Sequence, residues 1–300
     1  MSMNPTKRAY LELHFAVLLY GFTAILGGLI DLPAVVLVWW RIFITCSAIL
    51  VYGNIFSKLK KVPRPIKFKL LGIGFIVATH WLAFFGAVKL ANASVALVMF
   101  ATTSFQSALL EPLLMRQPIK WYEVALGIVI VPAMAFVVNG LPADMTLGVW
   151  AGLLSAFLAV LFSILNKKMI DKTDPDPLSI TFLNLSGGWL WLSVLMPFYG
   201  LMDKQAKFMP TGWDWVYLLV LALVCTNLGY ILGIRALRHL SAFTANLTIN
   251  LEPVYGIILA WLILKEDKQL NTNFYIGAGM IIFSVLSYPF LKKRFGIANG

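Results

Sequence analysis

The sequence predicts an all-α integral membrane protein with ten transmembrane helices, arranged as two inverted five-helix repeats with both termini cytoplasmic. Three observations lead there: the composition, the length of the apolar runs, and the alternation of basic residues between connections. Of 300 residues, 60% are hydrophobic and 12% charged, and the mean hydropathy is +0.84. A soluble domain averages about 25% charged residues and needs polar surface to cover its core. This chain has too little of it, so lipid is its solvent.

A helix that crosses about 30 Å of hydrocarbon needs roughly 20 apolar residues. Ten such stretches lie near residues 10–30, 33–53, 69–88, 92–115, 120–139, 146–166, 178–200, 214–236, 241–264 and 273–291. Runs of this length, continuous and not alternating over about ten residues, argue against a β-barrel. The connections left over are too short for a soluble catalytic, nucleotide-binding or receptor domain. Glu12 and His14 interrupt the first stretch and no small-residue cleavage pattern follows, so it reads as a retained span and not as a signal peptide. Cys46 and Cys225 both fall inside spans and read as space-filling side chains.

Sorted by connection, 18 of the 24 Lys and Arg residues fall on one side, from Lys7 and Arg8 through the run KLKKVPRPIKFK (residues 58–69) to Lys292, Lys293 and Arg294. Five, namely Lys89, Lys204, Lys207, Lys265 and Lys268, fall on the other, and Arg41 lies within a span. The positive-inside rule makes the first side cytoplasmic. The net charge of +11 therefore reads as a topology signal that touches anionic headgroups, with no nucleic acid implied.

An odd number of spans per half inverts the second half in the membrane, so the chain divides into residues 1–140 and 141–300 as two related units. A shift of 149 residues lays the segment from Ala87 on the segment from Ala236 without a gap. Ala87, Ala93, Ala96, Leu110 and Leu113 meet identical residues, Lys89 meets Arg238, and Arg116 meets Lys265. Two similar halves in opposite orientation can rock between two nearly equivalent states, each open to one side.

Several segments also carry a family resemblance. YGFTAILGG (20–28), PAVVLVWWRIF (33–43), FFGAVKLANASVAL (84–97), LEPVYGIILAWLILKED (251–267) and YIGAGMII (275–282) resemble the EamA branch of the drug/metabolite transporter superfamily over essentially the whole chain. Lys265 stands before Glu266 where that family usually has Gly, and the first half has Arg116-Gln117 at that place. The resemblance implies helices around a central cavity and transport of small metabolites, commonly outward, in the bacterial inner membrane. It names no substrate.

A charge at mid-bilayer costs about 2.5 to 3.5 kcal/mol on insertion scales, so polar residues at span centres are the candidates for solute and proton pathways. Arg41, His80 and Glu252 stand first. Glu252 is either a carboxylate that exchanges a proton or a structural group, paired with Arg41 or hydrogen-bonded between helices, and Pro253 beside it removes a backbone donor and makes a hinge candidate, as does Pro132. Arg41 offers a planar fork of donors that suits a carboxylate, from solute or protein. His80, followed by Trp81, either lines a cavity or bonds between helices. Thr103, Ser107 and Glu111 recur at four-residue intervals, as do Asn246 and Asn250, so each set shares a helix face. Asn250 and Glu252 are about 200° apart, so they do not face one cavity together. Glu111, near a span end, reads as an interfacial carboxylate. Asn184, Asn227 and Tyr230 complete the polar candidates, and Trp81, Phe84 and Tyr230 are candidates for an aromatic wall. Gly21, Ala24, Gly28, Gly187 and Gly188 allow close helix approach. Trp39, Trp40, Trp121, Trp150, Trp213, Trp215 and Trp261 read as interfacial belts.

The function expected is a secondary transporter that exports a small metabolite, amino acids or related amphipathic solutes, with protons as a coupling partner. A uniporter, exchanger or importer of the same fold is the alternative. An intramembrane enzyme lacks support: there is no HExxH, GxSxG, paired intramembrane aspartate or P-loop pattern. The partners expected are the lipid bilayer and the solute, with no cofactor and no metal.

Overall fold

Helix starts follow the proline and Asx signals of the chain. Asn4 accepts the Thr6 N–H at 2.9 Å ahead of Pro5, and Asp176 accepts the Leu178 and Ser179 N–H groups ahead of Pro177. The computed structural model describes residues 4–119, 121–249, 251–266 and 270–295, and contains no strand among them. The helices are α1 (Pro5–Leu29), α2 (Ala34–Tyr52), α3 (Ile55–Lys60), α4 (Arg64–Leu90), α5 (Ala93–Phe100), α6 (Thr103–Met115) and α7 (Trp121–Asn139). They continue as α8 (Thr146–Thr173), α9 (Pro177–Met202), α10 (Asp214–Leu219), α11 (Gly229–Ala236), α12 (Ala242–Ile249), α13 (Glu252–Leu259) and α14 (Thr272–Phe295). Residues Val220–Leu228 and Ala260–Leu264 wind as wider π-helical turns that continue α10 into α11 and extend α13. Among the described residues, seven helical stretches are long and apolar enough to cross a bilayer, Ala93–Met115 among them, and two shorter apolar ones are Glu252–Leu264 and Thr272–Ser284.

Residues 92–115 and 241–264, each expected as one span, each carry a break between two helices, and Ala93–Met115 still counts as one stretch of membrane length. At the first break the Thr102 N–H tightens to the Met99 carbonyl at 3.1 Å, and the Thr102 hydroxyl takes the same carbonyl at 2.7 Å. At the second the Leu251 N–H reaches the Thr248 carbonyl at 3.1 Å, and Pro253 has no N–H to continue the ladder. The two breaks match at the 149-residue offset: α5 and α12 cover equivalent residues, and α6 and α13 begin at equivalent ones. Packing follows the same offset. α4 lies against α8 and α9, the stretch α10–α11 lies against α1 and α2, and α7 pairs with α14.

The α4–α9 crossing depends on glycine. A Cβ at Gly74 would stand 2.0 Å from the Asn184 carbonyl oxygen, and one at Gly187 would stand 2.1 Å from that of Leu71. On α1, a Cβ at Gly21 would stand 3.2 Å from Tyr255 Cβ. Trp39 and Trp40 are half-buried: their indole N–H groups donate to Ser193 Oγ and the Phe208 carbonyl, both at 2.9 Å, within a cluster that includes Trp189 and Trp215. These contacts pack α2 against α9 and the segment that leads into α10.

Basic residues gather at one end, where Arg235 meets Glu12 at 3.2 Å, Arg238 meets Asp174 at 2.9 Å and Lys58 meets Asp176 at 3.4 Å. At the other end Lys89 Nζ donates to the Ile30 carbonyl at 2.5 Å, and Lys207 bridges Asp31 and Asp214 at 3.0 Å each. The two carboxylates hold the Lys207 ammonium above the ordinary lysine range. Lys120 and Lys268 lie outside the described residues.

Candidate substrate cavity

Between α1, α2, α4, α8, α11 and α12 lies a cavity of about 100 Å³. Its walls are aromatic, formed by Tyr20, Trp81, Phe84, Phe100, Phe162 and Tyr230. Its polar groups are Arg41, His80, Asn246 and Glu252, with Thr23, Ser163, Cys225 and Thr226 between them.

Arg41 is 4% exposed. Its Nε donates to Thr226 Oγ1 at 2.6 Å, and the Thr226 hydroxyl in turn donates to the Leu221 carbonyl at 2.6 Å, five residues back, as the wide turn of Val220–Leu228 allows. The guanidinium lies 3.9 Å from the centroid of the Trp81 ring and 5.4 Å from that of Phe85. Its two terminal nitrogens have no acceptor among the described residues. Glu252, also 4% exposed, opens α13 and likewise has no hydrogen bond or ion pair among the described residues. The two charges thus share a cavity without touching, and a direct Arg41–Glu252 ion pair is absent among the described residues.

His80 Nδ1 lies 2.9 Å from both the carbonyl oxygen and the hydroxyl of Ser155. A carbonyl can only accept, which assigns the proton of the neutral ring to Nδ1 and leaves Nε2 as an acceptor. The ring packs among Phe84, Phe100 and Phe162. Asn184 Nδ2 donates to Asn166 Oδ1 at 2.9 Å and to the Tyr230 hydroxyl at 3.1 Å, which holds Tyr230 edge-on to Trp81. The Tyr20 hydroxyl donates to the Gly229 carbonyl at 2.8 Å and ties α1 to α11.

Of the pathway and wall candidates singled out in the sequence, Arg41, His80, Trp81, Phe84, Tyr230, Asn246 and Glu252 come together on this cavity. Ser107 stands behind the wall and accepts from Asn246 Nδ2 at 3.2 Å. Thr103 is buried without lining the cavity. Asn227 faces the other way and accepts the Tyr52 hydroxyl proton at 2.6 Å beside a groove between α2 and α11. Asn250 lies outside the described residues. Pro253 sits in the first turn of α13, directly after a helix break. Pro132 lies inside α7, an exposed position in the helix that pairs with α14, away from the cavity. Glu111 is buried, 5% exposed, and accepts backbone N–H groups of Ala242 and Phe243, so it is not an interfacial carboxylate. Sequence reasoning did not reach Tyr20, Phe100, Phe162 or Thr226. These are unremarkable residues within apolar spans, and only the packing of helices distant in sequence selects them.

Residues 146–288 match the EamA-like transporter family. An uncharacterized transporter of Clostridium kluyveri is 25% identical over 224 residues, which cover 69% of this chain and 67% of that protein. An uncharacterized transporter of Synechocystis sp. is 22% identical over 213 residues, 68% of this chain and 60% of the relative. The chain thus spans less than two thirds of this second relative. A crystal structure 16% identical in sequence superposes with a TM-score of 0.69 over 95% of this chain and 99% of its own, a likeness of fold.

Proposed function

Because residues 146–288 match the EamA-like transporter family, we propose that the chain is a secondary active transporter that exports small amphipathic metabolites, amino acids among them, across the bacterial inner membrane. The observation that carries the reading is one aromatic-walled cavity in which Arg41 and Glu252 are buried and not paired with each other. Such an arrangement suits a solute with a carboxylate, an ammonium and an apolar body. Arg41 offers its free terminal nitrogens to the carboxylate. Glu252 takes the ammonium, and a proton when no solute is bound, which couples export to proton exchange.

In this reading ten spans form two inverted halves, residues 1–140 and 141–300, with both termini cytoplasmic, and transport proceeds by alternating access. Its support is the recurrence of helix bounds and break geometry in α5–α6 and α12–α13 at an offset of 149 residues. The clustering of Arg235, Arg238 and Lys58 at one end supports the orientation.

Counterflow into proteoliposomes tests the function. Vesicles preloaded with unlabelled amino acids should accumulate a labelled one saturably. Folded protein that admits no label above empty vesicles would refute the amino-acid reading.

A further inference from the structure

Two buried carboxylates outside the cavity hold the broken helices to each other. Glu266, beyond α13, accepts the N–H groups of Ala93 at 2.9 Å and Ser94 at 2.8 Å and the Ser94 hydroxyl at 2.6 Å. Glu111, on α6, accepts the Ala242 N–H at 3.2 Å through one oxygen and the Phe243 N–H through the other. Ala93 and Ser94 open α5, and Ala242 and Phe243 open α12 at the 149-residue offset. The local caps recur too: Asn92 Oδ1 takes the Val95 N–H at 2.9 Å, and Ser241 Oγ takes that of Thr244 at 3.1 Å. Each helix start is therefore closed twice, by its own cap and by a carboxylate from the opposite half of the chain. Glu111 and Glu266 are 5% and 4% exposed.

The two contacts lie at opposite ends of the molecule. Glu266 and Ala93 stand at the end of Lys89, and Ala242 follows Arg238 at the end of Asp174. A buried carboxylate on a helix N-terminus gains from both hydrogen bonds and the helix dipole. Parting it without water leaves an unpaired charge and two orphan N–H groups, so it can part only when water enters that end. Water entry at one end is what opening a transport pathway to one side consists of.

We propose that Glu111 and Glu266 are the gating residues of the transport cycle, reciprocal latches of which one parts when the pathway opens to the corresponding face. The proposal rests on the transport reading, and it assigns the residues as positioning groups that touch no solute. Both latches are closed in the structure.

Cys225 lines the cavity and Cys46 does not, so in a Cys46→Ala background Cys225 reports cavity access. A charged, membrane-impermeant methanethiosulfonate is applied to one face of oriented membrane vesicles, and the rate of Cys225 modification is read. Glu266→Gln should raise that rate about fivefold from the face of Lys89 and Lys207, and Glu111→Gln about fivefold from the face of Arg238 alone. Ser94→Ala, which removes only the hydroxyl bond to Glu266, should move the rate in the Glu266→Gln direction by about twofold. It serves where Glu266→Gln does not fold, and Glu111→Asp serves for Glu111. Rises from the same face for both variants, or from neither, would overturn the latches. Labelling needs no solute. A protein that shows the sided response yet moves nothing in counterflow keeps the latches and loses the substrate reading, and one that transports with unsided labelling does the reverse.

Discussion

Replacing Arg41 by Lys keeps a positive charge in the cavity and removes its shape. The guanidinium combines three features that an ammonium cannot reproduce together: the 2.6 Å bond from Nε to Thr226, the cation–π contact 3.9 Å over Trp81, and two terminal nitrogens with no acceptor among the described residues. Stacking of a desolvated cation on an aromatic ring is worth about 2 kcal/mol, but it is present with and without solute and bears on stability more than on affinity. The solute-dependent part is one of two parallel bonds to a carboxylate. Hydrogen bonds to charged groups contribute about 1.5 to 3 kcal/mol each, which converts to an affinity loss of roughly 10- to 150-fold for Arg41→Lys. Counterflow as a function of labelled solute concentration reads this as a raised half-saturation value, with melting temperature as the control for folding. A half-saturation value within twofold of the wild type in a folded Arg41→Lys protein would refute the bidentate role. It would leave the site with a requirement for charge alone.

Glu252→Gln should abolish the dependence of transport on a pH gradient while leaving solute exchange measurable in counterflow, and an unchanged pH dependence would remove Glu252 as the proton carrier. Gly74→Ala should destabilise the protein, because the new methyl meets the Asn184 carbonyl at 2.0 Å and the α4–α9 crossing must widen. Overpacking of this kind costs about 1 to 3 kcal/mol, read as a lower melting temperature in detergent, and an unshifted transition would show that the crossing yields freely. Lys207, its ionisation raised by Asp31 and Asp214, stabilises the fold below the ordinary lysine range, and that contribution is lost as pH climbs through its raised value. The melting temperatures of wild type and Lys207→Gln should therefore differ at neutral pH and converge only in strong alkali. A gap that persisted there would assign the effect to packing.

The helical class and the position of most spans were legible because a bilayer imposes length and apolarity on every crossing segment, a constraint local enough to read one stretch at a time. The same logic placed Arg41, His80 and Glu252 near span centres, where an ionisable group must find a cavity or a partner. Helix facing was not legible. Asn227 and Tyr230 are three residues apart, yet the wide turn of Val220–Leu228 shifts the helix phase, so that Tyr230 lines the cavity and Asn227 turns to Tyr52. Glu111 read as interfacial because its position near a span end is local information, whereas the helix start it caps comes 131 residues later. The breaks in α5–α6 and α12–α13 escaped for a related reason. Thr102 carries no strong breaking signal until its hydroxyl competes for the Met99 carbonyl.

The choice between a structural and a binding role for Arg41 and Glu252 turns on their separation. A structural pair is held within ion-pair distance, because removing one partner from a buried pair costs about 3 to 5 kcal/mol. Arg41 instead spends Nε on a neutral hydroxyl and its face on an indole, and Glu252 stands at a helix start without a protein cation against it. Neither is held in a direct ion pair with the other among the described residues, and both are buried. A solute that carries both signs compensates both at once, and it also lowers the cost of excluding water from the space between them. That lowered cost bears on the latches. Closing Glu111 and Glu266 together shuts water away from both ends, which is least costly when the charges inside have been neutralised. On this account a site loaded with solute, or with a proton on Glu252, favours passage through the doubly closed state, and an ionised Glu252 without solute resists it. If Glu111 and Glu266 gate the pathway as proposed, coupling between the cavity and the gates needs no relay of side chains, since the desolvation of Arg41 and Glu252 would supply it.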